Sequence, residues 1–165
     1  MDWLVVGVQW AHVLLGILWF GTVLSLDAIV IPAINRLPII TQRQISSHIA
    51  ARATPIFKVA VPVIIVLGFV RGTFLGPIKS VDSLFGTAYG LTWLVALIAT
   101  TLTYAFGFLV LVPALRRMDA APLAPDGSPT PGLATATNQV KRLVGAELLG
   151  FIIIFTCMIL MRFGL

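Results

Sequence analysis

The chain has 165 residues, 59% of them apolar and 10% charged, with a net charge of +5. Soluble domains carry roughly 25% charged residues, and a water-soluble fold of this length could not hide so much apolar surface. The basic residues are scattered between apolar runs rather than gathered in one patch, which excludes a nucleic-acid-binding role and leaves the charge as a matter of membrane topology.

The first apolar run extends from about Trp3 to Ile34. It exceeds the ~20 residues needed to cross a bilayer and is too long for a cleaved leader, and Met1-Asp2-Trp3 offers no basic start for one. A connection of residues 35–55 follows, with Arg36, Arg43 and Arg52 in it and Lys58 just beyond. Its part from Gln42 to Ala53 is helix-compatible and is expected to lie at the membrane surface. The second span covers about 56–78. A short link, 79–86, holds one Lys and one Asp. The third span, about 87–115, has no charge at all. The next connection opens with Arg116-Arg117 and closes with Lys141-Arg142. Its Pro, Gly, Ser and Thr content predicts a flexible loop over about 118–138. The fourth span covers about 143–161. In hydrocarbon every backbone group must be paired within its segment, so all four spans are expected to be helical. The absence of alternation at period two speaks against a barrel.

The expected fold is therefore all-α: one transmembrane domain, an up-and-down four-helix bundle. By the positive-inside rule the first and third connections face the cytoplasm, and both termini face the periplasm. Arg162, near the outer C-terminus, is an exception that snorkelling would accommodate. The excess of Arg over Lys and the abundance of Ala point to a GC-rich bacterial genome, hence to a multi-pass protein of the bacterial inner membrane.

Titratable groups inside a span cost about 2.5–3.5 kcal/mol on insertion scales, so each needs a reason. His12, Asp27, Arg71, Glu147 and Tyr104 stand out. At ~1.5 Å per residue, His12 lies roughly 13 Å below the outer end of its helix and Arg71 about 10 Å below the outer end of the second. Asp27 and Glu147 belong to the inner half, where ion pairs with Lys58, Arg116 and Arg142 are expected to neutralise them. Cys157, alone in an apolar run, reads as a small buried side chain. Gly68 and Gly72, and Gly145 and Gly150, read as close-packing points, the first pair forming a GxxxG suited to a helix or dimer contact.

The first helix carries the most information. Gln9, His12, Gly16, Trp19 and Leu26 fall on one face, and a face with His and Gln turns to the bundle interior. Gly16 removes bulk one turn below His12, where a flat group could dock, with Trp19 as its floor. Two readings stand: His12 hydrogen-bonds a neighbouring helix with Gly16 as a packing point, or His12 is an axial ligand to haem iron.

The segment Trp10-Ala11-His12-Val13-Leu14-Leu15-Gly16-Ile17-Leu18-Trp19-Phe20-Gly21 resembles the first-helix signature of a superfamily of small membrane proteins, in which His is followed seven residues on by Trp, then by an apolar residue and Gly, and later by Pro. Its members include the CopD-like copper-resistance proteins, the HemJ-type protoporphyrinogen oxidases and the membrane domain of PuuD-type urate oxidases. Pro32 and Asn35-Arg36-Leu37 sit where such proteins leave the first helix, and Arg52 through Gly68 to Arg71-Gly72 is similar to the group's basic entry and Gly-containing exit. The match is specific over about twelve residues. It implies haem b bound through His12, in an electron-transfer or oxidase role, with a redox partner or quinone. Charge and depth add Arg71 as a contact for a haem propionate.

The chain departs from the HemJ-type pattern of His and Lys on the third helix, since Ala88 to Leu115 has no His, Lys or Met. His48 belongs to the cytoplasmic connection and is too far along the bundle to ligate the same iron. What remains is a five-coordinate haem, a weak sixth ligand such as Tyr104 or Met158, a haem shared across a homodimer, or no haem at all. A copper site would need several converging ligands that His12 does not have. A haem b-binding membrane oxidoreductase is thus weighed against a non-enzymatic accessory subunit of a larger membrane complex, and against a small transporter, which the charge-free third helix opposes.

Overall fold

The structure is a computed structural model and describes residues 2–165. Four long helices, Trp3–Ile34 (α1), Ile39–Gly72 (α2), Ala88–Ala120 (α4) and Pro131–Arg162 (α5), are each long and apolar enough to cross a membrane. A single-turn helix, Val81–Phe85 (α3), lies between α2 and α4. Among the described residues there is no β-strand, only one isolated bridge, Leu123 to Pro129. Short links make successive long helices antiparallel: α1 packs on α2, α4 on α5, and α2 on α4. The bundle is closed between α1 and α5 by Trp19 and Phe20 against Phe151.

The apolar surface is turned outward. Ile29, Val66, Leu102 and Leu109 are 58–76% exposed, an arrangement that water would penalise and hydrocarbon rewards. The chain is accordingly a multi-pass membrane protein. Its inward-facing core is small. Trp19, Val61, Ile64 and Phe151 form the central cluster. Leu111, Ala114 and Val140 form a second, toward the end of the bundle that carries the 35–38 and 121–130 links.

Helix ends follow local chemistry more than hydropathy. The Asp2 carboxylate accepts from the Leu4 amide (3.0 Å) at the start of α1. Thr87 caps α4 through the Gly90 amide, and Thr130 caps α5 through the Leu133 amide, with Pro131 at the first helical position, where a missing N–H costs nothing. For this reason α5 begins at Pro131, far ahead of the apolar span that starts near residue 143. Likewise, the expected surface segment 42–53 is not a separate element but the first half of α2. The other end of α2 is earlier than hydropathy indicates. The helix stops at Gly72, and the Ile78 amide folds back to the Gly72 carbonyl (3.1 Å). Arg71 therefore sits in the last turn of α2 rather than two turns inside it.

The expected loop over 118–138 shrinks to 121–130 and is not featureless. Asp126 accepts from the Ser128 amide (3.0 Å) and hydroxyl (2.6 Å), Gly127 takes φ +79°, and the Thr130 hydroxyl donates to the Pro122 carbonyl (2.9 Å). Those bonds hold the Asp126 carboxyl below the usual carboxylate range. A hydrogen bond from the Arg43 guanidinium to the Ala121 carbonyl ties the loop to α2.

Both α1 and α4 carry a π-bulge near this end, at Leu26–Val30 and Gly107–Leu111, each followed two residues later by a proline, Pro32 and Pro113. Proline removes one amide and crowds the preceding turn. A widened turn just before it absorbs the clash without breaking the helix.

Candidate functional site

Four helices leave a cavity of about 550 Å³ at the end of the bundle that carries both termini. That volume lies within the ~300–1,000 Å³ of small-molecule and cofactor sites. Gln9 and His12 come from α1, Gly68, Arg71 and Gly72 from α2, Tyr89, Trp93 and Thr100 from α4, and Met158, Met161 and Arg162 from α5.

His12 is held by α2. Its Nδ1 lies 3.1 Å from the Ile64 carbonyl oxygen. A carbonyl can only accept, so Nδ1 carries the proton, and in the neutral ring Nε2 is left with a free lone pair. The same second partner orients the histidines that bind metals, where a backbone carbonyl or carboxylate fixes the tautomer through the other nitrogen. The ring fits because residue 68 is glycine. A Cβ there would stand 3.0 Å from His12 Cε1 and 3.6 Å from Nδ1.

One turn on, a Cβ at residue 72 would overlap the Trp93 indole. The indole N–H in turn donates to the Gly68 carbonyl (3.3 Å). The GxxxG pair thus receives an imidazole from α1 and an indole from α4, both within one chain. Of the other glycine pair, Gly150 meets Thr103 on α4, whereas a Cβ at Gly145 would meet nothing within 4 Å.

Arg71 is half-buried in the cavity wall. One terminal nitrogen approaches the Leu75 carbonyl at 3.4 Å, and the buried Nε has no partner. A buried guanidinium donor left unpaired costs about 1–3 kcal/mol or more, so its natural complement is an anion.

The structure therefore brings His12 and Arg71 to one cavity with Gln9. It does not bring Gly16, Trp19 or Tyr104 there. Gly16 is off the cavity wall, and a Cβ on it would meet nothing within 4 Å. Trp19 is buried in the central core, edge-on to Phe151 at 4.7 Å, below the cavity rather than flooring it. Tyr104 packs against that core and lies 5.1 Å from Phe108. Of the two side chains named as weak iron ligands, Met158 is in the cavity wall and Tyr104 is not. His48 is exposed on α2 and binds the Gln44 carbonyl in its own helix at 2.7 Å. It is 20 residues from Gly68, or about 30 Å along the axis.

Sequence reasoning missed three features of the wall: Trp93, the imidazole-receiving role of Gly68, and Arg162. Only Arg162 had a signal, as the exception to the charge asymmetry.

The ion pairs expected of Asp27 and Glu147 are not formed. Among the described residues neither carboxyl meets a cation: Asp27 Oδ2 is buried without a partner, and Glu147, 9% exposed, points its Oε1 to within 2.8 Å of where a Gly107 Cβ would stand. Lys58 instead lies over the Phe108 ring at 5.8 Å, and Arg116 and Arg142 are exposed. The cations share a depth with the carboxyls but occupy other helix faces. Both carboxyls sit beside the π-bulges, Asp27 within one and Glu147 against the first residue of the other.

Among the described residues no three His, Cys, Asp or Glu side chains gather as a metal centre. A porphyrin supplies four nitrogen ligands itself and asks the protein for only one or two. One imidazole with an unprotonated Nε2, a cavity of suitable volume and a guanidinium in its wall with an unpaired Nε fit such a group. Comparisons with protein families, with curated proteins and with solved structures find no match to this chain.

Proposed function

We propose that this protein binds haem b in the membrane, with His12 Nε2 as axial ligand, and serves in electron transfer or as an oxidase. The observation that carries the reading is the hydrogen bond from His12 Nδ1 to the Ile64 carbonyl. In a neutral ring it leaves Nε2 unprotonated on a residue of the cavity wall, as a metal-binding histidine needs.

Haem, when bound, supplies a one-electron couple whose potential depends on axial ligation and burial. The chain's own residues do the rest. Gly68 gives the imidazole room, the Ile64 carbonyl orients it, and Trp93 fills the recess at Gly72 beside it. Arg71 would pair with a propionate. Met158, also in the wall, would offer a thioether to the metal. Resemblance of the segment Trp10 to Gly21 to the CopD-like, HemJ-like and PuuD-type group supports the same reading.

Arg36, Arg43, Arg52, Arg116, Arg117, Lys141 and Arg142 all belong to one end of the bundle. By the positive-inside rule that end is cytoplasmic. The cavity then opens toward the periplasmic side of a bacterial inner membrane, where a redox partner or a quinone could exchange electrons. The test is an absorption spectrum of protein purified under haem-replete conditions. The expected result is a Soret band that dithionite shifts and His12→Ala removes. A colourless protein refutes the assignment and favours an accessory subunit of a larger complex; a band that survives His12→Ala refutes His12 as the ligand.

A further inference from the structure

The cavity that holds His12 has a second cation in its wall. Arg162, the last residue of α5, lines it together with Arg71, the last-turn arginine of α2. Among the described residues no Asp or Glu lines the cavity. Two arginines from two helices, Arg71 half-buried and Arg162 exposed, thus border one chamber whose described lining holds no acid. The Nε of one is buried and unpaired.

An arginine at the end of a helix has an ordinary explanation. It complements the helix dipole and snorkels to water. That accounts for Arg162 on α5 alone, but not for the unpaired Nε of Arg71 nor for the absence of any acid between the two. Concentrated positive charge beside apolar walls raises the local attraction for anions. Two separate forks suit two carboxylates better than one, because each guanidinium binds a carboxylate as a planar bidentate pair.

We propose that Arg71 and Arg162 form a two-point clamp, and that the cavity selects a flat ligand carrying two carboxylates. This rests on the haem reading. It adds Arg162 as the second anion subsite and makes the propionates, and not only the iron, a source of affinity. The His12 imidazole would hold the group through its metal, and the two arginines would hold its two carboxylates.

The test uses full-length protein in nanodiscs, titrated with haem b and with its dimethyl ester, in which both carboxylates are masked. Absorbance in the Soret region reports binding. Wild type is expected to bind haem b at least about tenfold more tightly than the diester, the scale of one charge-assisted contact. Arg162→Gln is expected to lower haem b affinity about tenfold, to leave diester affinity unchanged, and to be partly rescued by Arg162→Lys. Wild-type protein that does not distinguish the two ligands overturns the clamp without any variant being needed. So does an Arg162→Gln protein with wild-type haem b affinity; in either case binding that still depends on His12 leaves the haem reading standing. Failure of wild type to bind either ligand overturns both.

Discussion

Replacing Gly68 by alanine tests the link between backbone packing and the imidazole. The new methyl carbon would start 3.0 Å from His12 Cε1, whereas carbon atoms rest at about 3.5–4.0 Å. The ring must retreat by roughly 0.5 Å or more. Its Nδ1 then moves from 3.1 Å to about 3.6 Å from the Ile64 carbonyl, beyond a hydrogen bond. That contact contributes about 0.5–1.5 kcal/mol. Alanine in place of glycine within a helix returns about 0.5–1 kcal/mol. The two nearly cancel, so the unfolding free energy should stay within about 1 kcal/mol of wild type. The imidazole, however, loses its orienting partner, a change that costs metal sites roughly 10–100-fold in affinity. Thermal unfolding in detergent and a haem titration on the same preparation separate the two effects. An alanine variant that binds haem with wild-type affinity and spectrum would refute the claim that Gly68 and Ile64 position His12.

Three further outcomes follow from the packing and the loop. Gly72→Ala drives a methyl into the rigid Trp93 indole and should destabilise by about 1–3 kcal/mol, read as a lowered thermal midpoint. Gly150→Ala, facing Thr103 across α4 and α5, should destabilise similarly, whereas Gly145→Ala and Gly16→Ala, with nothing within 4 Å of the added carbon, should be neutral or stabilising by up to about 1 kcal/mol; equal effects at all of these positions in a thermal-unfolding series would contradict the packing described. The Asp126 carboxyl is held below its usual range by Ser128, so its contribution to loop closure is present above the unfolded value of about 3.9 and falls away as the pH drops through the lowered value; limited proteolysis between residues 121 and 130 should stay constant down to about pH 4 and rise below it, and a rise beginning near neutrality would count against the Asp126 turn.

Much of the architecture was legible because hydrophobicity in a membrane protein is an outward signal. Four apolar runs announce four helices whatever packs inside them. Helix ends were not, because caps decide them: Thr130 with Pro131 starts α5, and Gly72 ends α2, at places where hydropathy does not change. His12 and Arg71 could be picked out because each is expensive in hydrocarbon and near the same end of the bundle. Which face each neighbour presents could not be read. Gly16 and Trp19 share the stripe of His12, but the cavity opens above them and toward α4. Tyr104 lies one turn beyond Thr100, the last α4 residue in the cavity wall. Depth alone paired Asp27 and Glu147 with Lys58, Arg116 and Arg142, whereas rotation about the helix axes sends those cations elsewhere. Gly68 is a reminder that a small-xxx-small motif marks a recess and is silent about what fills it.

The most direct measurement is the protonation state of the His12 imidazole nitrogens, read by ¹⁵N NMR of histidine-labelled protein in lipid, with and without added haem. In the absence of haem, a neutral ring with the proton on Nδ1 is predicted. On adding haem, the Nε2 resonance should be shifted or broadened by the iron while Nδ1 keeps its proton. A proton found on Nε2, or spectra that haem leaves unchanged, would contradict the account.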